Sequence, residues 1–213
     1  MSPGELKELA DLCLENNIVI LSDEIHSDLV FKSHIHTPLS TLSDEIADIT
    51  VTCVAASKTF NLAGLSSSTV IIPNEKLRAR FSHEVQKGHL YMGNIFGTIA
   101  METAYSMGGD WLDQLLVYLK GNAELLSDYT ASNLRGISVR PPEATYLAWL
   151  DMKSLGMKSK QLRKFMTRDA RIGCNDGPSF GPGGTGYQRL NFACPRSTLK
   201  KALHQLKHAV EKI

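Results

Sequence analysis

The chain has 213 residues, 43% of them hydrophobic, which is enough for one large buried core or two small ones. Its formal charge of +1 comes from interspersed acids and bases with no basic patch, which argues against nucleic acid and anionic membrane as partners. Apolar runs such as 18–21 and 70–72 are too short to span a bilayer, and no basic stretch followed by an apolar one reads as a signal peptide.

In chain order, Ser2-Pro3-Gly4-Glu5 reads as a helix start, with Ser2 as cap, Pro3 at the first helical position and Glu5 closing a capping box. Leu6, Leu9, Ala10, Cys13 and Leu14 then recur at helical spacing and predict a helix to about Glu15, broken by Asn16-Asn17. The continuous apolar run 18–21 predicts a strand buried on both faces of a parallel sheet. Residues 49–55 and 68–72 predict two more strands, the last closed by Pro73-Asn74. Helix and strand in alternation indicate an α/β layered fold with a mostly parallel sheet. From Glu75 the pattern is helical, with a break over 88–97, a helix over 98–107 and a longer one over 111–134. Beyond it, 137–139, 146–149 and 188–192 predict strands, and 160–168 and 198–210 predict amphipathic helices. The change in character places a boundary near residue 120, dividing a first domain, 1–120, from a smaller α+β domain, 121–213. The four cysteines, Cys13, Cys53, Cys174 and Cys194, are scattered without a C-x-x-C pair, which suits reduced thiols in a cytoplasmic protein.

Two residues stand where an open α/β sheet gathers its ligand-binding groups. Asp23, with Glu24 beside it, follows the first strand, and Lys58 follows the second within Ala56-Ser57-Lys58-Thr59-Phe60-Asn61. Side chains at the carboxyl ends of strands face one crevice. The alternative is a surface salt bridge, or two solvated side chains.

Ser22-Asp23-Glu24-Ile25-His26-Ser27-Asp28-Leu29-Val30-Phe31 and Ala56-Ser57-Lys58-Thr59-Phe60-Asn61-Leu62-Ala63-Gly64-Leu65 together resemble the pyridoxal 5′-phosphate (PLP) enzymes of fold type I. The resemblance is to the cystathionine β-lyase/C–S lyase branch of the class I/II aminotransferase superfamily. It continues through Trp111-Leu112-Asp113 with Tyr118-Leu119-Lys120-Gly121-Asn122 as one block, then Pro142 to Asp151 and Arg189 to Arg196, five collinear blocks in all.

The resemblance implies the carboxy-terminal part of the PLP-binding large domain plus the small domain of such an enzyme. It implies that Lys58 binds PLP covalently and, once freed, acts as base at the substrate α-carbon. An amine that attacks must be partly neutral, which asks for burial. It assigns to Asp23, expected as a buried carboxylate, the proton on the pyridine nitrogen. His26 takes the place where many aminotransferases carry a tyrosine near the cofactor's 3′-oxygen, and histidine there favours the lyase over the transaminase; a packed loop histidine is the alternative. Ser57 is assigned to the phosphate. Arg189 is assigned to the substrate α-carboxylate, which a guanidinium fork fits with two parallel hydrogen bonds, with Arg196 as fallback.

The implied activity is α,β-elimination from a cysteine-type amino acid, with transamination as the alternative and a non-catalytic fragment as a third reading. A small amino-acid substrate and a homodimer come with the family. Two features depart from the common pattern. Leu65-Ser66-Ser67-Ser68 stands where many aminotransferases place a phosphate-binding arginine, and the ring-stacking aromatic and glycine-rich phosphate loop of the family's amino-terminal part have no counterpart here. The matching portion therefore starts in the middle of the cofactor domain, and exposed edges and apolar faces are expected. Residues 91–94 resemble a segment reaching a neighbouring subunit's phosphate. His34, His36, His204 and His208 lack a third metal ligand nearby and are set aside as solvated or packing side chains. The glycine-rich stretch 177–186 lacks the ending of a phosphate loop and reads as a turn, and Tyr146 and Trp149 as core of the small domain.

Overall fold

A computed structural model describes every residue, Met1–Ile213, and divides into two compact units, Met1–Gln114 and Leu115–Ile213.

In the first unit, helix α1 (Pro3–Glu15) begins with the capping box, Ser2 Oγ accepting from Glu5 N at 3.3 Å and Ser2 N donating to Glu5 Oε2 at 2.6 Å. Strand β1 (Ile20–Asp23) pairs in parallel with β2 (Thr50–Val54), from Ile20↔Thr50 to Asp23↔Cys53, and β3 (Thr69–Ile71) joins β2 antiparallel. The sheet, order β1-β2-β3, thus has one parallel and one antiparallel pairing rather than being mostly parallel. Helix α1 and the short helix α2 (Asp44–Asp48) cover one face, where Ala10, Leu39 and Ile46 are buried among Leu6, Leu14, Ile20 and Leu42.

The first strand starts two residues later than its apolar run, and it is not buried on both faces. Val19 is 53% exposed and Leu21 70%, because no element of this unit lies over their side of the sheet. An apolar run alone does not say what covers it.

A single turn of helix, α3 (Ala56–Thr59), follows β2 directly. Helices α4 (Glu75–Lys87) and α5 (Ile95–Met107) come next. The latter starts earlier than its periodicity suggests because Asn94 caps it, accepting from Gly97 N at 2.6 Å.

Helix α6 (Gly109–Asn133) begins in the first unit and runs into the second, whose sheet is wholly antiparallel in the order β4-β5-β7-β6. Its strands are β4 (Ser138–Val139), β5 (Leu147–Asp151), β6 (Asn175–Asp176) and β7 (Tyr187–Asn191). Helix α7 (Ser159–Lys164) widens into a π-helical turn over Phe165–Asp169, and α8 (Arg196–Val210) closes the chain. Two-residue β6 left no periodic signal in the sequence.

Strand β5 alternates, with Ala148 and Leu150 buried, Leu150 among α6 and α8 residues such as Leu126, Leu203 and Leu206. Alternation puts Trp149 on the opposite face, 36% exposed, so it is not the core residue its size suggested. No helix is long and apolar enough to cross a membrane.

Candidate functional site

In the first unit, two loops leave the carboxyl ends of β1 and β2 side by side. Asp23 is the last residue of β1 rather than the first after it, aligned with Cys53 of β2, and Glu24 N extends the ladder to Cys53 O at 2.9 Å. Burial pushes the Cys53 thiol up, and the Asp23 carboxylate adds to it. Ser57 and Lys58 lie in α3, just beyond the end of the ladder. The two loops are tied together by Thr59, fully buried, whose hydroxyl donates to Asp28 Oδ2 at 2.8 Å. Half-buried His26 sits in the turn 25–28 between Asp23 and that tie.

Lys58 and Asp23 make neither a hydrogen bond nor an ion pair, so the salt-bridge alternative falls. Lys58 is half-buried, but Asp23 is exposed, against the expectation of a buried carboxylate. The reason is the uncovered side of β1, which Asp23 shares with Leu21 two residues before it.

The buried carboxylate is Glu24, 7% exposed. It accepts from Ser22 Oγ at 2.9 Å and from Leu39 N at 3.2 Å, with His36 Nε2 2.8 Å away. This pins the loop that carries His26 back onto the sheet. Sequence reading set His36 aside as packing; its partner lies twelve residues away, and no periodicity links them.

Ser66, in the stretch that lacks the arginine, turns the chain with a left-handed φ of 46°. Asn94 both caps α5 and donates to Leu65 O, so its amide is committed to holding this loop. Tyr91 beside it is 60% exposed.

In the second unit, Arg189 lies on β7 on the same face as Trp149. Its Nη2 donates to Asn175 Oδ1 at 3.2 Å, its guanidinium carbon sits 4.6 Å from the centre of the Phe180 ring, and its Nε is covered without an acceptor. Burial pushes the Tyr146 hydroxyl up, against the pull of Arg189.

Arg196 is spoken for. Its backbone N donates to Tyr118 Oη at 2.7 Å, its Nε to Asn122 Oδ1 at 3.0 Å and its Nη2 to Tyr118 O at 3.4 Å. Fully buried Asn122 in turn donates to Phe192 O and Cys194 O, each at 3.0 Å. The sequence block 118–122 and the block 189–196 are therefore one structural clasp, a role that spacing alone did not reveal. His204 faces Tyr129 Oη at 3.3 Å and His208 faces Glu211 Oε2 at 3.2 Å, and no three His, Cys, Asp or Glu side chains gather to hold a metal. All four cysteines are free.

The donor set of the first unit fits PLP. It offers an amine and a carboxylate that lack protein partners, with a hydroxyl and an imidazole, on loops leaving two adjacent parallel strands.

Comparison with known proteins gives a concordant picture. Residues 1–206 match the family model for aminotransferase class I and II. The chain is 42% identical over 209 residues to "Cystathionine beta-lyase PatB" of Bacillus subtilis, covering 98% of this chain and 54% of that protein. The solved structure of cystalysin from Treponema denticola, described as containing a pyridoxal 5′-phosphate cofactor, superposes with a TM-score of 0.94 at 33% identity, over 100% of this chain and 54% of that one. The PLP-bound C-S lyase from Staphylococcus hominis does so with 0.87 at 32% identity, over 99% and 53%. The chain spans about half the length of the curated relatives it matches.

Proposed function

The chain belongs to the aminotransferase class I and II family, and on that premise we propose that it carries the lysine, the pyridine-binding carboxylate and the substrate-binding arginine of a PLP-dependent carbon–sulfur β-lyase. The observation that carries the reading is the pairing of Lys58 and Asp23: both lack protein partners, at the carboxyl ends of neighbouring parallel strands.

PLP, when bound, supplies an electron sink that stabilises negative charge at the substrate α-carbon. Lys58 would hold it through Nζ and, when its amine is free, is the base placed to take the proton from Cα. Asp23 would accept a hydrogen bond from the pyridine nitrogen and so favour its protonated form. His26 would serve the 3′-oxygen, and Ser57 would donate its hydroxyl to the phosphate. Arg189 grips the α-carboxylate. Loss of the Cα proton and rupture of the Cβ–S bond release a thiol, and hydrolysis of the resulting enamine by one water gives pyruvate and ammonia. The substrate is a small amino acid bearing sulfur on its β-carbon, and the enzyme is a cytoplasmic homodimer.

The test joins two measurements. Borohydride reduction of the protein with PLP, followed by peptide mass mapping, places the pyridoxyl mass on Lys58; an adduct confined to other lysines sinks the assignment. Cystathionine yields pyruvate without a keto-acid acceptor, whereas strict dependence on an acceptor means transamination. Labelled Lys58 with no turnover under either condition leaves the cofactor site and removes lyase activity from this chain.

A further inference from the structure

The glycine-rich stretch between β6 and β7 is more than a turn. We infer that it is the positioning device for Arg189, with Asn175 and Phe180 as positioning residues that hold the guanidinium ready for a carboxylate. The inference rests on the carboxylate role proposed for Arg189.

Arginine is a long side chain whose rotamer freedom is lost when it grips a ligand, and orienting it beforehand removes that loss from the binding step. Arg189 is oriented on two sides. Its face lies over the Phe180 ring, 4.6 Å from guanidinium carbon to ring centre, the geometry of a cation–π interaction. Its rim is held by a hydrogen bond from Nη2 to Asn175 Oδ1 at 3.2 Å. The covered Nε has no acceptor. Buried donors are ordinarily engaged, so this guanidinium keeps hydrogen-bonding capacity that its own neighbours do not use.

Phe180 is in turn fixed from behind. Its ring meets Trp149 edge-on at 5.4 Å and 83°. Trp149 stacks on Tyr187 at 5.3 Å and 20°. Lys153 Nζ lies 4.7 Å from the Tyr187 ring centre and donates to Tyr187 Oη at 2.9 Å, while Asp151 anchors the amine at 3.1 Å. A row of three rings and a tethered cation therefore backs the surface on which the guanidinium rests.

The loop itself cannot slide. Phe180 ends the tight turn Gly177–Phe180, and Ser179 Oγ donates to Asp176 O at 2.6 Å. Gly177 and Gly184 meet backbone to backbone, so a Cβ on either would overlap the carbonyl of the other. Only glycine at both places lets the loop close tightly enough to bring Phe180 under Arg189.

The experiment uses the whole chain, ¹⁵N-labelled and without PLP, titrated with S-methyl-L-cysteine and, as control, its amide, which lacks the carboxylate. The Arg189 Nε–H resonance is the readout; the Phe180 ring shifts it upfield before any ligand is added. Phe180→Leu and Asn175→Ala each weaken S-methyl-L-cysteine binding about tenfold, the scale of a single charge-assisted interaction. Phe180→Tyr restores both the affinity and the upfield shift, and Phe180→Leu abolishes the shift while leaving the rest of the spectrum in place. Unchanged affinity in Phe180→Leu and Asn175→Ala, with binding abolished in Arg189→Lys, overturns the positioning role and leaves the carboxylate reading intact. Binding unaffected by Arg189→Lys, no binding by the wild-type chain, or equal binding of acid and amide overturns both.

Discussion

The two units solve the same problem, placing charged side chains on a sheet, in opposite ways. In the second, one sheet face is sealed by α6 and α8, with Leu119, Leu126, Leu150, Leu199, Leu203 and Leu206 all at or below 2% exposure. Arg189 can therefore be held by aromatic neighbours on a rigid backing. In the first, one sheet face is sealed by α1 and α2, while the other leaves Leu21 and Asp23 open. Its chemistry is placed by where strands end, not by what surrounds them. A strand terminus and its register can position a residue long before the environment that tunes it is complete.

The contrast can be broken most sharply at the core of the second unit. Leu203→Ala removes a side chain that is 2% exposed, and about 2–5 kcal/mol of stability goes with it, read from the denaturant midpoint of that unit. If the cost is below about 1 kcal/mol, the seal is looser than its burial indicates.

Next comes the clasp. Asn122→Ala strands two carbonyls and the Arg196 Nε at once, and costs about 1–3 kcal/mol. Hydrogen exchange should locate the loss at the start of α8; a loss spread evenly over the unit would mean the clasp is not a local device.

A graded effect is expected from pH. Burial, aided by Asp176, pushes the Cys174 thiol up to about 12 from an ordinary value of 9.0. Between those values the unfolded chain gives up the proton while the native chain keeps it. The native state binds more protons there, so stability falls as pH rises and is unaffected below about 9. Unfolding curves of Cys174→Ala against pH should decline less steeply than the parent's over that window; parallel curves would show that the thiol titrates alike in both states.

Smallest is Leu21→Ser, at 70% exposure on the open face, expected within about 0.5 kcal/mol of the parent. A loss of more than about 1 kcal/mol would mean that Leu21 is covered in solution.

Much of this was legible beforehand, and the residues show why. The cap at Ser2, the helix ending at Glu15 and the strands preceding Asp23 and Lys58 are written in local chemistry: a hydroxyl, a proline, an apolar run. The places of Lys58 and Asp23 followed from strand ends. What escaped depends on neighbours distant in sequence. Nothing near Asp23 says that its face lies open, nothing near Trp149 says that alternation turns it outward, and the pairing of Glu24 with His36 or of Asn122 with Arg196 is visible only once the chain has folded.

The meeting of Gly177 with Gly184 has a consequence for how this sequence can change over generations. Because each occupies the space the other's side chain would need, neither can vary first without a cost. Once either has acquired a methyl group and forced the loop apart, however, the second substitution meets a gap already opened. The double variant should therefore be destabilised by less than the sum of the two single ones. The pair is thus epistatic: harsh to the first mutation, lenient to the second, and nearly closed to drift because the harsh step always comes first.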